Sequence, residues 1–171
     1  MRRMLLATVA AVLACSGSAW ADGPMIRWDG LAGIMPNTNG DVGGIHQSAP
    51  QVTLGGRVML NLNTGFIAVK VEGLSFARQF AQQHVLGSPI DEPKKGTIVC
   101  ASWTSPVAVD TDSFTFTDGN ASYRGFVDPA KLWACVANPE ETVFLLRNPS
   151  IQQGCPDCYI AFGIGRTIQS P

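Results

Sequence analysis

The chain is poor in the residues on which most catalysis depends. Two histidines and two tyrosines are spread over 171 residues, and only 15% of positions are charged. No Gly-x-Ser-x-Gly segment occurs, which excludes the hydrolase arrangement built on that nucleophile turn. Gly163-Ile164-Gly165 lacks the third glycine and the following helix of a dinucleotide fingerprint. Neither sign of charge dominates. Twelve basic residues stand against thirteen acidic ones, so the overall balance carries no electrostatic footprint for nucleic acid or an anionic membrane. Long hydrophobic runs are missing too: the longest, Leu5 to Ala14, is half of the roughly 20 residues that a spanning helix needs.

That short run has a specific setting. Arg2 and Arg3 precede it and Ala19-Trp20-Ala21 follows, the order of a secretory signal with a small-residue cleavage site. Residues 1–21 are therefore expected to be a signal peptide, placing the remainder in the periplasm or outside the cell. Val12-Leu13-Ala14-Cys15 resembles the lipobox of bacterial lipoproteins, which gives lipidation at Cys15 as the minority alternative. Leu13 stands where that motif carries a small residue, and cleavage after Ala21 leaves an even set of cysteines: Cys100, Cys135, Cys155 and Cys158. An even set suits disulfide pairing in an oxidising compartment. Without the two leader arginines the balance is ten basic against thirteen acidic residues.

From residue 57 onward apolar residues recur at every second position in short runs, which is the strand signal. Val58, Leu60 and Leu62 form one such face and Ile67, Val69 and Val71 another, joined by Asn63-Thr64-Gly65 as a hairpin loop. Further strands are expected at Thr97 to Trp103, Ser113 to Thr117, Ala121 to Val127, Leu132 to Ala137, Thr142 to Arg147 and Cys158 to Gly163, with Asp118-Gly119-Asn120 as a second hairpin turn. A short helix is expected over about 75–86, capped by Ser75, with Phe76 and Phe80 four apart. Residues 22–56, rich in Gly, Pro and Asn, read as a loop-rich arm or as one early strand around Ile26 to Trp28 followed by loops. Asp91-Glu92-Pro93-Lys94-Lys95-Gly96 reads as an exposed charged connection. The expected fold is all-β: a single antiparallel sandwich over 57–171, immunoglobulin-like or a related Greek key.

The cysteines carry the sharpest motif. Cys155-Pro156-Asp157-Cys158 resembles the Cys-Pro-x-Cys dithiol of glutaredoxins and periplasmic disulfide oxidoreductases, and the resemblance implies a reactive Cys155 at a helix N-terminus. The following Tyr159-Ile160-Ala161-Phe162-Gly163 reads as a strand, so the residues favour a type I turn bridged by its own cysteines. Pairing of one of them with Cys100 or Cys135 is the alternative. Cys100 and Cys135, with Trp103 nearby, resemble the inter-sheet bridge of immunoglobulin domains. A four-cysteine zinc site wants two close pairs, and this chain has one.

His46 has Asp41 and Ser48 nearby in sequence and is the candidate centre of a hydrolase, while His84 closes the expected helix. Asp110, Asp112 and Asp118 could ligate calcium, and Glu140-Glu141 occupy a turn. Trp28, Trp103 and Trp133 fall in strand-like runs and are expected in the core, with a carbohydrate-stacking platform as the other reading. Gly55 to Gly163, with its Val-x-Val-x-Gly-Leu strand and closing Tyr-Ile-Ala-Phe-Gly, is similar to small exported bacterial proteins; the resemblance implies the sandwich and adds no activity. The expectation is an exported, disulfide-stabilised structural or binding module with no catalytic residue and no cofactor, and with a protein or carbohydrate partner. The alternative is a periplasmic enzyme, working by thiol-disulfide redox through Cys155 and Cys158 or as a hydrolase.

Overall fold

The computed structural model describes residues 23–34, 40–48, 52–77, 85–101, 105–149 and 157–170. Expectations for residues 1–21, for the middle of the 75–86 segment including His84, and for Trp103 and Cys155 fall outside the described residues. Eight strands are present: β1 (Met25–Gly33), β2 (Val52–Asn61), β3 (Phe66–Phe76), β4 (Lys94–Cys100), β5 (Val107–Phe114), β6 (Ala121–Phe126), β7 (Val143–Arg147) and β8 (Tyr159–Gln169). All pair antiparallel in one sheet of order β5-β4-β7-β8-β1-β2-β3-β6. The two edge strands come back to face one another, with Phe114 of β5 stacked on Tyr123 of β6 at 5.3 Å between ring centres. The sheet is therefore nearly closed into a barrel. All-β antiparallel structure is as expected, but the ladders join into one continuous sheet where two separate ones were anticipated.

Inward-facing residues of every strand fill the barrel: Ile26 and Trp28, Val58 and Leu60, Ile67 and Val69, Ile98, Phe144, Leu146 and Ile160 are all nearly inaccessible. Trp28 packs its indole against Phe144, ring centres 6.0 Å apart. A second, smaller cluster lies on the other side of the same strands, where Val99, Leu145 and Tyr159 meet Ile34 and Ile45. The segment 40–48 covers it. Tyr159 donates its amide to His46 O at 3.0 Å, accepts from the Ser48 amide at 2.9 Å and donates its hydroxyl to Gly40 O at 3.2 Å. Burial on both faces explains why Thr97 to Cys100 and Val143 to Leu146 are continuous runs without polar alternation.

Both hairpin turns form where they were expected. Asn61 Oδ1 accepts from the amides of Asn63 and Thr64 and from the Thr64 hydroxyl, while Gly65, at φ 71°, donates to Asn61 O. A Cβ on Gly65 would lie 2.1 Å from Val127 O, so glycine is required by contact as well as by conformation. Asp118 and Gly119, at φ 49° and 72°, form a two-residue turn closed by two hydrogen bonds between Thr117 and Asn120. Positive φ at both central residues is what a type I′ turn demands.

Other expectations are corrected. In residues 22–56 the early strand read around Ile26 to Trp28 is present as β1, longer than read and in the middle of the sheet, between β8 and β2. Ser75 and Phe76, expected to open a helix, end β3 instead. Helix occurs where a strand was read, at 132–137: a 3-10 turn Pro129–Leu132 runs into α1 (Trp133–Ala137). Asp128 caps it by accepting from the Ala130 amide at 3.0 Å, and Pro129 holds the first helical position. That turn exposes Trp133, expected in the core, to 63%. Lys94 and Lys95 belong to β4, and Lys94 is only 2% exposed, ion-paired to Glu92 at 2.9 Å. β5 also begins earlier than read, at Val107. None of the described helices is long and apolar enough to cross a membrane.

Cys100 and Cys135 are bonded, tying the end of β4 to α1 across 35 residues of sequence. Closing a loop of that length contributes about 3 to 4 kcal/mol in the chain-entropy description. A Cys100→Ala/Cys135→Ala variant is expected to lose about that much unfolding free energy in urea denaturation; a loss under about 1 kcal/mol would contradict the entropic account.

Candidate functional site

Of the cysteine motif, Asp157 and Cys158 belong to the described residues. Cys158 is disulfide-bonded and 2% exposed, and the chain passes from it directly into β8 without the helix that poises a reactive thiol. Cys155 and Pro156 lie outside the described residues. Asp157 has φ 62°, in the left-handed region, which a type I turn does not place at its third residue.

Asp157 is also one corner of an ionic cluster. Lys95 Nζ donates to Asp157 Oδ1 at 2.8 Å and to Asp110 Oδ2 at 2.9 Å, while Arg147 reaches Asp110 Oδ1 at 3.3 Å and Asp157 Oδ1 at 3.4 Å. Thr97 donates its hydroxyl to Asp110 Oδ1 at 2.6 Å, and Arg147 Nε donates to the Asp157 carbonyl at 2.8 Å. The pattern follows from register: Asp110 lies opposite Thr97, and Arg147 opposite Lys95. Burial pushes the Asp110 carboxyl up, but the Thr97 hydroxyl and the Lys95 and Arg147 charges hold it below the ordinary carboxylate range. Lys95 loses hydration by burial, yet Asp157 and Asp110 raise its pKa. Each cation here bridges two carboxylates. The cluster locks the cysteine turn onto the sheet and has no open position for a reactant.

The other sequence candidates separate. His46 Nδ1 and Asp41 Oδ1 are 2.6 Å apart on the exposed segment 40–48, but Ser48 is 5% exposed and shares no hydrogen bond with His46. A nucleophile-base pair is therefore not assembled. Asp110, engaged by Lys95 and Arg147, is not gathered with Asp112 and Asp118; among the described residues no group of three or more His, Cys, Asp or Glu could hold a metal. Glu140 pairs with Arg166 at 3.3 Å.

What sequence reading missed lies on the outer face of β1, β2, β3 and β6. A groove of about 300 Å³ crosses these strands, with Arg27, Arg57, Lys70 and Arg124 on its rim. Register explains it. Arg27, Met59, Ala68 and Arg124 form one cross-strand row, and Arg57, Lys70 and Ser122 the adjacent row on the same face. All four cations are exposed. Ala68, short between Met59 and Arg124, leaves the depression. With strands about 4.8 Å apart, Arg27 and Arg124 stand about 14 Å from one another at the backbone. Lys70 pairs with Glu72, whose carboxyl is held low by that contact, but Arg27, Arg57 and Arg124 make no hydrogen bond or ion pair among the described residues. Among the described residues, Asp29 is the one carboxylate lining the groove. The residues are scattered from 27 to 124, and only the pairing of four strands unites them.

Comparison of the chain with protein-family models, curated proteins and solved structures yields no match.

The ionic cluster fixes a pH dependence. The folded Asp110 pKa lies below its unfolded value, so its contribution is present above about pH 4 and is lost as pH falls through the folded value. Unfolding free energy should therefore decline steeply below about pH 4, and Asp110→Asn should lower stability at pH 7 while flattening that acid limb. An unchanged acid limb in the variant would assign the dependence to other carboxylates.

Proposed function

We propose that this is an exported, disulfide-stabilised β protein that works as a binding module, and that its binding face is the cationic groove of β1, β2, β3 and β6. The observation that carries the reading is the set of three exposed guanidiniums around a concave surface that make no hydrogen bond or ion pair among the described residues, with only the Glu72 charge acting on Arg57. The other arginines among the described residues are satisfied: Arg147 by two carboxylates and Arg166 by Glu140 and the Thr142 carbonyl. Guanidinium presents a planar fork of donors suited to carboxylate, sulfate or phosphate, so a cluster left open is a cluster suited to an anionic group. The leader-like residues 1–21 and the disulfides support delivery to an oxidising periplasmic or extracellular space.

Two measurements test the reading. Despite its net negative formal charge, the oxidised protein should be retained on a sulfonate cation-exchange resin at pH 7, and an Arg27→Ala/Arg57→Ala/Arg124→Ala variant should pass through unretained with its melting temperature within about 3 °C of the parent. Flow-through of the parent would reject an anion-binding face. The rival, thiol-disulfide catalysis through Cys155 and Cys158, requires a solvent-reachable thiolate after mild reduction. With Cys158 buried and the turn clamped by Lys95 and Arg147, iodoacetamide labelling at neutral pH after mild reduction should be slow; rapid labelling of Cys155 would favour the redox enzyme.

A further inference from the structure

We propose that the groove holds an acidic sugar chain, with carboxylates on the rim arginines, hydroxyls on Asp29 and Ser122, and the apolar face of a ring on Met59 and Ala68. This rests on the reading of the groove as an anion-binding face and narrows it to one ligand class. Three features of the lining select that class. The cations are spread over about 14 Å in place of converging on a point, which fits charges distributed along an extended ligand better than one compact anion. The groove also contains the Asp29 carboxylate beside Arg27 and Arg57. A ligand with an anion at every position would be repelled there, whereas one that alternates anionic groups with hydroxyl donors has a hydrogen to give it.

The floor supplies the third feature. Met59 and Ala68 offer a short apolar strip, and the Phe66 and Phe126 rings, 5.5 Å apart edge to face on the same side of the sheet, extend it by one row. Ser122 adds a hydroxyl that both donates and accepts, opposite Lys70 in the register. Carboxylates separated by hydroxyl-bearing rings meet all of these requirements together. Contacts of this kind are solvent-exposed, so binding should weaken as added salt shortens the Debye length below its physiological value of about 8 Å.

Isothermal titration of the oxidised protein with tetragalacturonate, maltotetraose and inorganic polyphosphate at low ionic strength tests the assignment. Tetragalacturonate should bind and maltotetraose should not. Arg57→Ala/Arg124→Ala should lower tetragalacturonate affinity at least tenfold without altering the far-ultraviolet circular dichroism. Asp29→Ala should weaken tetragalacturonate and strengthen polyphosphate, opposite effects that a merely structural role for Asp29 would not produce. Binding of polyphosphate alone would overturn the sugar assignment and leave the anion-binding face standing. Failure of every anion to bind would remove both, and equal binding of maltotetraose would show that the arginines do not select the ligand.

Discussion

The pairing of β1 with β8 is the contact on which the architecture depends. Eight residue pairs, from Met25 opposite Gln169 to Gly33 opposite Ala161, join two groups of four strands into one sheet. On one side stand β5, β4, β7 and β8, and on the other β1, β2, β3 and β6. The two groups face one another across a shared apolar interior in which Trp28, from one group, touches Phe144, from the other. A chain with this pattern reads as a layered all-β protein from either group alone. What makes it nearly a barrel is that the ladder does not stop at β1 and β8.

The halves differ in how their outer surfaces are treated. The β4, β7 and β8 side is sealed: segment 40–48 lies over Val99, Leu145 and Tyr159, and the Lys95, Asp110, Arg147 and Asp157 cluster closes the surface beside it. Every charge there has an opposite partner within 3.4 Å. The β1, β2, β3 and β6 side is left uncovered, and its guanidiniums stay hydrated. Charge pairing thus locks the surface of one half, while on the other Lys70 pairs with Glu72 and Arg27, Arg57 and Arg124 make no ion pair among the described residues. The cysteine turn, tethered by Asp157, belongs to the sealed half.

Sequence pattern reached the parts of this fold that are written locally. Strict alternation at 58–62 and 67–71, and the turn chemistry of Gly65 and of Asp118-Gly119, correspond to strands and turns that formed as read. β1 was harder to weigh, since glycines at 30 and 33 interrupt its period while the strand is held by neighbours on both sides. Leu132-Trp133-Ala134-Cys135-Val136-Ala137 has no period of its own, and the helix is set upstream by Asp128 and Pro129, a start signal that was readable but carried less weight than the apolar run. The groove lay beyond reach for a different reason. Arg27 and Arg124 are 97 positions apart, and a near-neutral total says nothing about where a few cations collect.

The meeting of β5 and β6 has a consequence for how another molecule can approach. Strand edges usually invite a further strand, because their unpaired amides and carbonyls act as a template. Here the two edges confront each other, joined by the stacked Phe114 and Tyr123 rings. A peptide seeking to extend the sheet would have to part that seam first. Contact with a partner is thereby steered away from backbone zippering and onto side-chain surfaces.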